Sequence, residues 1–160
     1  MNDNTTVVSP AKIRFAAMDL LTGREISRAE LAKKLNKRFD KDSAIGEVLD
    51  QLQLEGLQCD QRFAEAFVRS RRHRGQGLTR IRGALREKGI GPELCASALE
   101  KAEIDWFALA REVAERKFGR EPAANQKDKA KRMRFLQYRG FNFEQIKHAM
   151  QQQDFDGFQD

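Results

Sequence analysis

Two cysteines and two histidines are the side chains of this 160-residue sequence best suited to hold a metal or attack an electrophile. Cys59 and Cys95 stand 36 residues apart, and His73 and His148 are isolated, so no ligand spacing forms and free thiols are expected. The carboxylates alternate with cations along what read as helix exteriors, and no Ser/His/Asp or Cys/His arrangement has local support. Gly75-Gln76-Gly77 lacks the Lys-Ser/Thr ending of a phosphate loop and the strand that precedes a dinucleotide site, so it reads as an interhelical turn. No catalytic residue, metal, cofactor or small-molecule substrate is expected, and an enzyme ranks last among the function classes.

Arginine is where the chemistry concentrates. Asp60 to Gly89 holds nine Arg or Lys against three acids, a net of +6 that equals the net charge of the whole chain. A helix dipole calls for only one or two cations near the C-terminus. This density repels itself and asks for an anionic offset, either phosphate or an acidic protein surface. The candidate partner contacts are Arg69, Arg72, Arg74, Arg80, Arg82 and Arg86, with a second block at Lys127, Lys129, Lys131, Arg132 and Arg134. Arg71 differs, because it shares the apolar face of its helix with Phe63, Phe67 and Val68 and suits a structural role between helices. Glu65 is placed to pair with Arg69 four residues on.

Helices must position these residues. Phe63, Ala64, Phe67, Val68 and Arg71 recur on one helical face, with Asp60 as N-cap and Gly75 and Gly77 as the break. Leu78, Ile81, Ala84 and Leu85 form the inner face of the next helix, Gly89 closes it, and Pro92 opens another that runs to Ala102. Before this pair the pattern predicts helices over Pro10–Leu21, after a Ser27/Glu30 capping box (with Leu31 and Leu35 inward), and from about Asp42 to Leu54. After it come Trp106–Phe118 behind Asp105, a basic helix ending near Tyr138, and a last helix opened by Asn142 and Gln145. Trp106 and Tyr138 read as packing residues. No periodic face claims Phe155 or Phe158.

A period near 50 residues runs through the chain: Leu35, Leu85 and Leu136 correspond, as do Ile45, Cys95 and Ile146, and Leu49, Leu99 and Met150. Gly89-Ile90 matches Gly140-Phe141, where the first copy has Phe39-Asp40. The expected fold is all-α, with no sheet: three tandem three-helix repeats in an elongated, curved array of right-handed helices, each unit burying its apolar faces partly against its neighbours. The expected boundaries are a flexible arm at 1–9, repeats at 10–57, 58–104 and 105–152, and a flexible tail at 153–160.

The stretch Asp60–Pro92 resembles the RecX family of bacterial regulators of the RecA recombinase. Arg62-Phe63-Ala64, Ala66-Phe67-Val68, Arg71, Gly75, Gly77, Arg80-Ile81, Leu85 and Lys88-Gly89-Ile90 carry the likeness, with Ser27-Arg28-Ala29-Glu30-Leu31 as a match to the family's opening motif. It extends more weakly over roughly 13–150. The resemblance implies a curved three-helix repeat protein that binds RecA as its nucleoprotein filament. It further implies inhibition of strand exchange, ATP hydrolysis and coprotease activity, and so modulation of DNA repair and the SOS response. Single- or double-stranded DNA is a further candidate partner, and a stand-alone, sequence-nonspecific DNA-binding helical module is the alternative reading.

Bulk properties agree with such a class. The chain is 40% hydrophobic and 34% charged, with three prolines and a pI near 9.5. Residues 1 to 10 are polar and no apolar run approaches membrane-spanning length, so a soluble, cytoplasmic protein with no membrane partner is expected. Residues 1–59 balance nine cations against nine acids, while 60–90 and 111–139 each carry a net +6.

Overall fold

Most of the helices begin where a short polar side chain or a proline offers a start; those at Asp60 and Leu78 follow Cys59 and Gly77 with no side-chain cap. Ser9 accepts the Lys12 amide at 3.3 Å, Asp105 the Ala108 amide at 3.1 Å, and Asn125 the Asp128 amide at 2.9 Å. Asn142 and Gln145 exchange reciprocal bonds of 2.9 Å, a complete capping box. The computed structural model describes residues 9–156, with side chains as far as Gln151. Residues 1–8 of the arm expected at 1–9, Phe158 and the side chain of Phe155 lie outside the described residues, while Ser9 belongs to the first helix as its N-cap.

Nine helices and no strand occur among the described residues: α1 (Pro10–Leu21), α2 (Arg28–Arg38), α3 (Ala44–Leu54), α4 (Asp60–His73), α5 (Leu78–Glu87), α6 (Pro92–Ala102), α7 (Trp106–Phe118), α8 (Gln126–Tyr138) and α9 (Phe143–Asp156). They group in threes, and in each unit the first and third helices pack most extensively. Leu35, Leu85 and Leu136 are each fully buried, one in each unit. Every unit has its own core: Ile13, Leu31, Leu35 and Leu52 in the first, Phe63, Val68, Ile81 and Leu85 in the second, Leu109, Val113, Leu136 and Ile146 in the third. Among the described residues only Ile104 and Trp106, at the α6–α7 turn, pack against two of these cores. Apart from these two, apolar burial closes each unit on itself, and further contacts join the units.

The joints are polar and made of backbone. At the first, Ser27 Oγ donates to the Lys88 carbonyl at 2.7 Å, the Lys88 ammonium meets Glu30 at 3.0 Å, and Gly89 lies so close to Ala29 that a Cβ there would collide with it. At the second, the Gly77 amide donates to the Arg139 carbonyl at 2.7 Å, the Thr79 amide to the Gly140 carbonyl at 3.2 Å, and Arg80 Nη1 to the Tyr138 carbonyl at 3.0 Å. In both, the turn between the second and third helices of one unit docks on the N-terminus of the second helix of the unit before. The device repeats at the period seen in the sequence and sets the three units in a row, an elongated array.

Glycine ends α4, α5 and α8 by one geometry. Gly75, Gly89 and Gly140 have φ of 76°, 80° and 99°, and in each the next amide reaches back to the carbonyl of a residue five earlier (Gln76 to Arg71, Ile90 to Leu85, Phe141 to Leu136). At the α2–α3 turn of the first unit the left-handed residues are Asp40 (φ 53°) and Lys41 (φ 56°), starting one place later than the Phe39 that the repeat aligns with glycine.

Several local expectations change. Asp60 does not cap its own helix: it is the first residue of α4, and its carboxylate instead accepts the Arg28 amide at 2.8 Å, serving the start of α2. The Glu30 side chain bonds Lys88, so the Ser27 box is completed on one side only. Helix α3 starts at Ala44 because Asp42 turns back to accept the Ala44 amide at 2.8 Å. Helix α9 continues to Asp156, through residues expected to open the tail.

A candidate cationic interface

Helix α4 delivers its arginines to a seam against α7 and the α8–α9 turn. Its last carbonyls are already occupied: Arg72 O accepts from Gly75, Arg71 O from Gln76, and Arg74 O from Arg139 Nη1 at 3.0 Å. The helix end therefore places no demand on the guanidinium groups of Arg72 and Arg74. Gly75 admits the close approach of α7, since a Cβ at 75 would stand 2.8 Å from Val113 Cγ2.

Two clefts flank this contact. One, of about 70 Å³, is lined by Arg72, His73, Gly75, Leu109, Glu112, Val113 and Arg116. The other, of about 130 Å³, is lined by Arg74, Gly75, Val113, Arg116, Lys117, Phe135 and Arg139. Lys117 and Arg139 lie over the Phe135 ring, at 5.5 and 5.1 Å from its centroid, and the ring packs edge-on against Phe118. These contacts pre-position two cations on an apolar wall. Partial burial, and after it the neighbouring Arg74 and Arg80, push the Arg71 pKa down from the ordinary arginine value. Glu112 is the one carboxylate lining either cleft.

The expected contact residues divide. Arg69, Arg72, Arg74, Arg82 and Arg86 are exposed, as are Lys127, Lys131 and Arg134, while Lys129 is half-buried. Among the described residues none of these nine takes part in an ion pair. Arg80 is committed to the second joint, with its guanidinium 4.7 Å from the Tyr138 ring centroid. Arg132 is a correction. It is 7% exposed, donates to the Glu121 carbonyl at 2.8 Å, pairs with Asp128 at 3.1 Å and lies over the Phe118 ring, so it ties the α7–α8 loop to α8. Tyr138, expected to pack, is 73% exposed. Glu65 pairs with Lys101 at 3.2 Å instead of Arg69.

The framework residues sit as follows. Phe63 is buried beside half-buried Phe67 with ring centroids 5.6 Å apart, Arg71 lies 4.7 Å over Phe67 of its own helix, and Ile81 and Leu85 are fully buried. Gly75, Gly77 and Gly89 make the turns and joints described above. Sequence reading missed Arg116, Lys117 and Arg139, which come from α7 and the α8–α9 turn and meet α4 only in the fold.

Among the described residues no group of three or more His, Cys, Asp or Glu is placed to hold a metal, and no helix is long and apolar enough to cross a membrane. Cys59 and Cys95 are free thiols. The surface offers charge and shape to an anionic partner.

Comparison with known proteins agrees with this architecture. Residues 60–99 match a family model described as the second three-helix domain of RecX, and residues 103–150 match one for its third three-helix domain. A regulatory protein RecX of Chromohalobacter salexigens is 46% identical over 137 residues, 86% of this chain and 90% of the relative. One of Pseudomonas entomophila is 38% identical over 146 residues, 91% and 94% of the two chains. The fold is similar to a crystal structure of RecX from Lactobacillus salivarius, with a TM-score of 0.76, 23% identity, and coverage of 91% of this chain and 97% of that one.

Proposed function

The chain belongs to the RecX family of regulatory proteins, and on that premise we propose that it binds the RecA recombinase, as its nucleoprotein filament, and inhibits it without performing chemistry. Strand exchange, ATP hydrolysis and coprotease activity would all fall together, because each needs the intact filament, and DNA repair and the SOS response in the cytoplasm would be modulated through it. The observation that carries this reading is the set of exposed cations on repeats 2 and 3 that take part in no ion pair among the described residues, above all Arg72, Arg74 and Arg116 around the Gly75–Val113 contact. Cations held at this density by folded elements gain most from an anionic partner of extended shape. An elongated repeat array has the form to lie along a filament and touch more than one protomer.

The test is binding to preassembled filament, to free RecA and to bare single-stranded DNA at matched salt. Tightest binding to the filament supports the proposal. A stand-alone DNA-binding module is the second reading, favoured by the same cations. It predicts equal affinity for bare DNA and filament, falling steeply with salt.

A further inference from the structure

The cleft beside Arg74 differs from the other basic surfaces in how its cations are supplied. Arg74 comes from the end of α4, Arg116 and Lys117 from α7, and Arg139 from the α8–α9 turn, and all line one recess of about 130 Å³. No carboxylate lines it, since Glu112 belongs to the neighbouring cleft. The open surface of α2 shows the contrast. There Lys33, Lys37 and Lys41 come from one helix and the turn after it, so their charges follow one another along a line.

Several contacts hold the recess in shape without neutralising it. Gly75 lets the end of α4 close on Val113 of α7. Arg139 commits one nitrogen, Nη1, to the Arg74 carbonyl at 3.0 Å, and both Arg139 and Lys117 stand against the Phe135 ring. Arg74 and Arg116 are exposed. Among the described residues Arg74, Arg116, Lys117 and Arg139 take part in no ion pair.

Three guanidinium groups and an ammonium that converge from separate elements suit a ligand with its charge concentrated in a small volume. A nucleic-acid strand or an acidic peptide carries one charge per unit along its length and leaves most of this set unmatched. Pyrophosphate and triphosphate groups carry several charges on adjoining phosphorus centres, and their oxygens match the guanidinium fork. We infer that this recess is a discrete oligophosphate site, in which Arg74, Arg116, Lys117 and Arg139 bind the phosphate chain of an inorganic oligophosphate or of a nucleoside triphosphate. A bound oligophosphate withdraws Arg74 and Arg116 from the seam and so competes with the macromolecular partner there. The site stands on its geometry, whereas the competition rests on the reading above that the seam meets the RecA filament.

The experiment is isothermal titration calorimetry of the full-length protein with sodium tripolyphosphate at about 0.15 M salt. Saturable binding of one tripolyphosphate per chain is expected. Arg74→Gln/Arg116→Gln should weaken it at least about tenfold, and the charge-matched Lys33→Gln/Lys37→Gln should leave it unchanged, with circular dichroism showing both variants helical. Equal losses in the two variants, or no saturable binding by the parent protein, overturn the site. Titration with ATP identifies the source: affinity at or above that of tripolyphosphate assigns a nucleotide, and much weaker affinity assigns a free oligophosphate. Binding of the parent protein to RecA filament, followed with free magnesium held constant, should fall as tripolyphosphate fills the site, and binding that persists at saturation overturns the competition. Tripolyphosphate binding by a protein that ignores the filament contradicts the function alone, whereas filament binding without tripolyphosphate binding contradicts the site alone.

Discussion

The Gly77 amide donates to the Arg139 carbonyl at 2.7 Å, joining repeat 2 to repeat 3 through two turns with no intervening side chain. A Cβ at Gly77 would stand 2.5 Å from the backbone of Gly140, and one at Gly140 would stand 2.5 Å from Arg80 Cβ, where φ of 99° adds its own penalty.

Gly77→Ala and Gly140→Ala are expected to destabilise by about 1–3 kcal/mol, the usual cost of overpacking a closed contact. Gly83 supplies the opposite case: it lies inside α5 with nothing within 4 Å of an added Cβ. Gly83→Ala should stabilise by about 0.5–1 kcal/mol through helix propensity. Urea unfolding of the three variants gives both signs, and a stable Gly77→Ala protein would contradict the backbone joint.

Arg132 is expected to matter for folding and not for partner contact. Its removal takes away a charge-assisted bond to the Glu121 carbonyl and the pair with Asp128. Arg132→Gln should cost about 2 kcal/mol of stability while inhibition of RecA per folded molecule stays at the parent level. Thermal unfolding and the ATPase assay at low temperature measure the two quantities separately.

Acid should weaken the array in a defined direction. The Ala124 amide, then Arg132, hold Asp128 below its ordinary value of 3.8; Arg14 and Gln51 hold Glu55, and Lys101 and Gln61 hold Glu65, below 4.5. A carboxylate depressed in the folded state stabilises it above the unfolded value and loses that contribution as pH falls through the folded one. Stability should therefore carry these contributions in full near neutrality and lose them below about pH 4.5. Asp128→Asn should be less stable than the parent at pH 7, with the gap closing as pH drops below 3.8. Urea midpoints across that range check it; a gap that stays constant would mean the carboxylate charge is not what holds the loop.

The repeat was legible because its signals are local. Leu35, Leu85 and Leu136 mark the core, and Gly89 and Gly140 mark the turns, by residue type and spacing alone. Asp60 was harder: an acid before an apolar-periodic run reads as that helix's cap, yet it serves α2, 32 residues earlier in the chain. Arg132 stands one turn before Leu136, a place that Leu31 and Ile81 fill before Leu35 and Leu85, and a charged residue there reads as surface until Phe118, Glu121 and Asp128 are seen around it. The seam of Arg72, Arg116, Lys117 and Arg139 draws on three separate helical regions, so no window of sequence displays it. The one available hint was that Gly77 and Gly140 are glycines at helix ends within different repeats, which marks places of close approach.

The exposed arginines of repeat 2 should be contact residues. Charge reversal at Arg72 and Arg82 is expected to weaken filament inhibition at least about tenfold, roughly 1.4 kcal/mol, with helicity intact by circular dichroism. Inhibition at the parent level would place the contact surface elsewhere.

The most direct measurement is RecA's single-strand-DNA-dependent ATPase during titration with this protein. The account predicts inhibition at well below one molecule per RecA protomer, the result of capping or propagated disassembly of a filament. No inhibition at clear excess, with the fold intact and DNA binding measurable, would contradict it and leave a DNA-binding module on the same scaffold.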